Sequence, residues 1–185
     1  MLLRKYNKSM VRTIKTDALV LRKRSLLDKD ILLTFLTKDF GKVFAIAKGV
    51  KKITSRRSAH TQTGNLVTIE LYARGETYYL QNTNIISAFS QIKNNPVKMN
   101  YLYRFIFILD RTLPEQQAEP EIYALAVKFL IFVSKAQSIS PDEFARYLQD
   151  LMRVLGYGAE EKSLSDIIRK IEEIIHEKIP EHVII

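Results

Sequence analysis

The sequence contains no cysteine and no tryptophan, and only three histidines, six glycines and five prolines in 185 residues. Without cysteine there is no disulfide, no thiolate zinc site, no iron–sulfur cluster and no thiol nucleophile. His60, His176 and His182 stand far apart, none with a partner at ligand spacing, so neither a metal nor another cofactor is expected. Glycine and proline are too scarce for a collagen-like or low-complexity chain. No apolar run reaches the ~18–20 residues of a membrane span. The opening MLLRKYNKSMVR is basic but leads into no apolar segment, so it does not read as a secretory leader, and Met10 offers a second possible start. These absences point to a soluble, cytoplasmic protein of ordinary globular composition, 46% apolar and 26% charged.

Acidic residues are scarce in one half only. Residues 1–88 carry 17 Lys and Arg against 6 Asp and Glu, a net of +11, whereas residues 89–185 carry 12 against 14. The whole basic excess of +9 therefore lies in the first half. A net of about 2–8 suffices to keep a small domain soluble, so an excess this size suggests a polyanionic partner.

The two halves differ in hydrophobic period as well. Thr16–Arg22 alternates as a strand, with Ala18, Val20 and Arg22 on one face and Leu19 and Leu21 on the other. Ile31–Thr37 and Lys42–Lys48 read as a hairpin around Asp39-Phe-Gly41, where Gly41 suits a positive-φ turn position. Leu66–Tyr72 and Thr77–Gln81 form a second pair, and the long link from Gly49 to Gly64 has room for a short helix. Five short strands with one long connection predict a small five-stranded barrel of OB-fold type.

From about residue 97 the period is helical. Tyr101, Phe105, Ile108 and Leu109 share a face, and Pro114 marks the end of that helix. Pro120 opens the next, which carries Leu125, Val127, Phe129, Leu130 and Phe132. Ser140-Pro-Asp-Glu143 has the composition of a capping box. Gly156-Tyr-Gly158 stops that third helix, and a fourth runs from Ser163 to Pro180. The fold class expected is therefore α+β, an amino-terminal OB-fold barrel followed by an α-helical bundle without a zinc module. The expected divisions are a disordered basic arm at 1–13, a nucleic-acid-binding barrel at 14–90 and a helical domain at 91–185.

Catalytic constellations are missing. There is no phosphate-loop, nucleophile-elbow or His-Glu-x-x-His pattern. Asp28 and Asp30 read as turn residues, and Glu172 and Glu173 lie on the polar face of the last helix. The chain is not expected to be an enzyme. The segment from Lys48 to Arg57 carries the clearest functional signal, with Lys48, Lys51, Lys52, Arg56 and Arg57 among ten residues and no acid. Such a stretch displaces counterions from a phosphate backbone. Arg22, Lys23 and Arg24 form a second basic cluster. Tyr72, with Phe44, Tyr78 and Tyr79, offers aromatic faces on neighbouring strands, and about half of these belong to the core. Cations interleaved with aromatics on a small barrel are the usual means of holding single strands.

Three stretches carry a family resemblance: Thr16-Asp-Ala-Leu-Val-Leu-Arg22, Asp30–Thr37, and Gly41-Lys-Val-Phe-Ala-Ile-Ala-Lys-Gly-Val-Lys-Lys52 followed by Ser55-Arg56. With Leu66–Tyr72, Asn84–Phe89 and the closing Leu155-Gly-Tyr-Gly158, they resemble the bacterial recombination mediator RecO over about residues 14–158. The resemblance implies a repair and recombination mediator that binds single- and double-stranded DNA and anneals complementary strands. It implies further that the protein works with RecR and helps load RecA onto DNA coated with single-strand-binding protein, near the bacterial nucleoid. Many relatives continue into a four-cysteine zinc module, where this chain has the cysteine-free stretch 159–185. The acidic, apolar carboxy-terminal tail of single-strand-binding protein is expected on the first long helix, at Tyr101, Arg104, Ile108 and Arg111. From the residues alone, an OB-fold RNA-binding or ribosome-associated module remains the alternative.

Overall fold

The computed structural model describes residues 13–26, 30–49, 56–158 and 163–180, with the backbone alone at Arg56 and Arg57. The arm expected at 1–13 therefore lies outside the described residues except for Thr13, as do Asp28, Lys51 and Lys52. Five strands come first: β1 (Thr13–Ser25), β2 (Ile31–Thr37), β3 (Gly41–Ala47), β4 (Leu66–Arg74) and β5 (Thr77–Ser87). They close a barrel in the order β1-β2-β3-β5-β4, antiparallel throughout except for the β3–β5 pair. That closure, with the short helix α1 (Arg56–His60) between β3 and β4, is the OB-fold. Asn65 holds α1 in place, its amide donating to the carbonyls of Ala59 and His60 at 3.0 and 2.9 Å.

Alternation along the strands fills the barrel. Val20, Leu33, Phe35, Val43, Ala45, Val67, Ile69 and Leu71 point inward and are almost wholly buried. Leu19 and Leu36 pair across β1 and β2 on the outer face, and they too are buried, with Leu21 and Leu66, in the core of the helices. Those helices are the short α2 (Ser90–Lys93), then α3 (Pro96–Thr112), α4 (Pro120–Lys135), α5 (Pro141–Val154) and α6 (Leu164–Ile175). Proline at the first turn of three of them costs no hydrogen bond, because those amides have no intrahelical partner. Ser140 and Glu143 form the expected capping box on α5.

Three details depart from the sequence reading. β5 runs to Ser87 rather than Gln81, continuing antiparallel to β4 through two register shifts. Helix α6 ends at Ile175, five residues before Pro180, where His176 adopts a left-handed φ of 53°. The chain then folds back, and the buried Ile179 donates its amide to Glu172 at 2.9 Å. Between Val20 and Arg22 the β1–β2 register slips by one residue, which reverses the expected parity of Arg22.

The barrel meets the helices through β3 as well as β1. Gly41 has φ +68°, and a Cβ there would stand 1.9 Å from the carbonyl oxygen of Gln117 in the α3–α4 connection. Next to it, Lys42 receives the amide of Gln116 on its carbonyl at 2.9 Å and donates its own ammonium to the Asp110 carbonyl, also at 2.9 Å. Gly41→Ala combines a strained φ with a backbone clash, so it should cost on the order of 2–4 kcal/mol, read as an earlier urea midpoint.

Tyr123 of α4 faces the barrel with its hydroxyl pushed up to about 12, first by burial and then by the charges of Asp17 and Asp39. The fold favours the neutral phenol, so its stabilising contribution is complete below pH 10 and is lost as the pH rises towards 12. Tyr123→Phe should flatten that alkaline loss of melting temperature, and an ultraviolet titration should lose one late tyrosine.

Candidate nucleic-acid interface

Strand register assembles the basic and aromatic residues into rows. The extra residue at Leu21 keeps Leu21 and Arg22 both on the outer face of the barrel. Arg22 then pairs with Thr34, and Thr34 with Phe44. One step further, Arg24 pairs with Leu32, Leu32 with Ile46, Ile46 with Tyr79 and Tyr79 with Tyr72. This second row crosses all five strands, with a cation at one end and two stacked tyrosines at the other, their ring centres 5.2 Å apart. Lys48, at the end of β3, places its ammonium 5.3 Å from the Tyr79 ring centre. Arg22, Arg24, Leu32, Thr34 and Phe44 line a continuous groove on this face.

The basic cluster of β1 is divided by the same geometry. Arg22 and Arg24 lie on the outer face, whereas Lys23 turns towards α1, 3.5 Å from the Ser58 hydroxyl and carbonyl. Partial burial pulls the Lys23 ammonium below its ordinary range. Tyr78 packs against the barrel core, so Phe44, Tyr72 and Tyr79 are the aromatics of the outer face. Lys51 and Lys52 lie outside the described residues, and of Arg56 and Arg57 only the backbone, in α1, is described. Ile46, Leu32 and Thr34 were not among the expected contact residues. Their parity with Phe44 along the hairpin was the available signal.

Helix α3 carries a second feature. Arg104 and Arg111 flank a groove of about 300 Å³ between β1 and α3, floored by Phe107 and Tyr103 and bordered by Arg22, Lys23 and Pro180. The expected apolar partners are different residues from these. Ile108 is wholly buried in the helical core, and Tyr101 packs edge-on against Phe144 with its hydroxyl donating to the Ile139 carbonyl at 3.3 Å. Both point away from the groove because they lie on the core-facing stripe of α3. Arg111 stacks 4.8 Å from the Phe107 ring centre and donates to Glu177 at 2.6 and 3.4 Å and to Asp110 at 3.0 Å. The hydrogen bond that Arg111 donates to Glu177 raises the guanidinium above its ordinary value, and the same bond holds the Glu177 carboxyl below its own. Asp110 also meets Arg22 at 3.7 Å. Asp110 and Glu177 were not anticipated, since only the tertiary fold brings residue 177 to residue 111.

Residues 10–89 match the family model described as the Recombination protein O N terminal domain. Similar proteins include the DNA repair protein RecO of Clostridium novyi, 30% identical over 145 residues, which cover 78% of this chain and 56% of that protein. Another is the RecO of Symbiobacterium thermophilum, 31% identical over 62% of this chain and 45% of its own length. Residues 10–89 thus carry the RecO amino-terminal domain, and the chain is similar to RecO proteins beyond it. It spans about half the length of the curated RecO proteins it matches. The RecO amino-terminal match covers the OB-fold barrel and, with it, both rows of the outer face. Among the described residues, no group of histidine and acidic side chains could hold a metal ion, and no helix is long and apolar enough to cross a membrane.

Proposed function

We propose that this protein is a DNA repair and recombination mediator that binds single- and double-stranded DNA on the outer face of its barrel and anneals complementary strands. The row from Arg24 through Leu32, Ile46 and Tyr79 to Tyr72, with Lys48 beside it, carries this reading. Bases stack on aromatic faces without regard to sequence, and cations beside them neutralise the backbone. The relatives' name as DNA repair proteins supports DNA as the polyanion. Annealing then requires no catalytic group. Two like-charged strands are brought together on a basic surface, and the pairing energy comes from the bases.

Residues 14–90 serve as the nucleic-acid-binding part and residues 91–185 as the partner-binding part. The groove between β1 and α3, with cations around an apolar floor, suits the acidic, apolar tail of single-strand-binding protein. RecR is the expected co-partner, and RecA loading the outcome.

Annealing of complementary strands coated with cognate single-strand-binding protein should accelerate when the protein is added. An RNA strand of the same sequence serves as the comparison, and preferential RNA binding would favour an RNA module instead. Tyr79→Ala should cost single-strand affinity about 1–3 kcal/mol, measured by anisotropy. Changing Lys51, Lys52, Arg56 and Arg57 together to Glu should reduce the log–log salt slope by about 3 if four phosphate contacts are lost. Arg104→Glu with Arg111→Glu should abolish binding of the tail peptide and leave binding to naked DNA intact.

A further inference from the structure

Asp30 lies between strand ends that carry cations, with Arg24 near the end of β1 and Lys48 just after β3. Yet among the described residues no Lys or Arg stands within ion-pair distance of its carboxylate. Its oxygens serve the backbone instead. Oδ1 accepts the amide of Gly49 at 3.0 Å, and the Asp30 carbonyl accepts the amide of Leu26, also at 3.0 Å. One residue thereby ties the β1–β2 connection to the start of the segment that follows β3. The last pair of the β2–β3 ladder joins Ile31 to Ala47, so Lys48 is the first residue past it. Gly49, one step on, has a left-handed φ of +66°. The carboxylate therefore pins the Lys48–Gly49 peptide where the chain leaves the sheet. Lys48 has its ammonium 5.3 Å from the ring centre of Tyr79, which stacks on Tyr72.

We propose that Asp30 is a positioning residue of the outer face, whose carboxylate fixes the Lys48–Gly49 peptide and so holds Lys48 over Tyr79 for a nucleic-acid phosphate. The inference rests on reading the outer face as the DNA interface, and it gives an acid a favourable role there. Two effects of that carboxylate oppose each other. Its charge repels phosphate through solvent, but beyond about 8 Å that repulsion is largely screened at physiological ionic strength. Its hydrogen bond to the Gly49 amide is charge-assisted and local. That bond orders the backbone under a long cationic side chain before DNA arrives, which lowers the entropy lost on binding. The local effect prevails, so loss of this acid weakens binding to a polyanion.

The test is anisotropy with a labelled single-stranded thymidine oligonucleotide and the full chain, at low and at physiological salt. Asp30→Ala should bind about fivefold more weakly than the unaltered protein, the scale of ordering one side chain on binding, and the loss should persist at the higher salt. Asp30→Asn keeps an acceptor for the Gly49 amide without the charge, so it should bind at least as tightly as the unaltered protein. On a Lys48→Ala background, Asp30→Ala should bring no further loss. Asp30→Leu, similar in shape and without an acceptor, is the second variant, and whichever melts with the unaltered protein decides the comparison. If the Ala and Asn variants behave alike, in either direction, the hydrogen bond is not what counts and the proposal is overturned. It is overturned equally if Asp30→Ala still loses affinity once Lys48 is gone. If Lys48→Ala and Tyr79→Ala both leave affinity unchanged, the reading of the outer face fails and the proposal fails with it.

Discussion

Strand β1 is buried on both faces, and the rest of the molecule is arranged around that constraint. Ala18 and Val20 point into the barrel, while Leu19 and Leu21 point into the helical core. Burying a leucine contributes roughly 1.5–3 kcal/mol, so Leu19, Leu21, Leu36 and Leu66 together outweigh the Arg22–Asp110 contact at 3.7 Å, a partly exposed pair of the kind that contributes ~0–1 kcal/mol. The apolar seam therefore fixes how the barrel sits against the helices.

The extra residue at Leu21 resolves a conflict inside this strand. A regular strand would send Arg22 into the barrel with Val20, where an unpaired guanidinium could not be accommodated. The bulge sends Arg22 outward instead. Arg22 then joins Arg24 on the groove beside Phe44 and also borders the groove beside Arg104 and Arg111. The two candidate binding surfaces consequently meet at one residue, linked through Asp110 and Arg111 to Glu177.

At the opposite edge of the seam, β3 is held to α3 and the α3–α4 connection by close backbone approach and by the Lys42 ammonium on the Asp110 carbonyl. Gly41 leaves no room for a Cβ against Gln117, and the Gln116 amide donates to the carbonyl of the next residue, Lys42. Because Phe44 and Ile46 alternate with the inward Val43 and Ala45, that lock also sets which way the aromatic row faces. The position of the candidate DNA face is thus set by the packing that joins barrel to helices.

Much of this was legible in the sequence. Period-two alternation and turn residues placed the strands, proline and Ser140–Glu143 placed the helix starts, and the uneven charge marked the first half as basic. These features are local, and elementary backbone and solvation physics read them directly. Ile108 and Tyr101 show the limit, since helical spacing put them beside Arg104 and Arg111 without saying which side faced the core. The bulge at Leu21 depends on β1 matching two neighbours at once. The Tyr72–Tyr79 stack depends on the β4–β5 register, and the Arg111–Glu177 pair joins residues 66 positions apart. The sequence by itself determined the elements, the basic half and the absence of cysteine chemistry. Which cations face which groove was decided by the tertiary structure, because strand register and helix docking are settled by contacts between segments far apart in the chain.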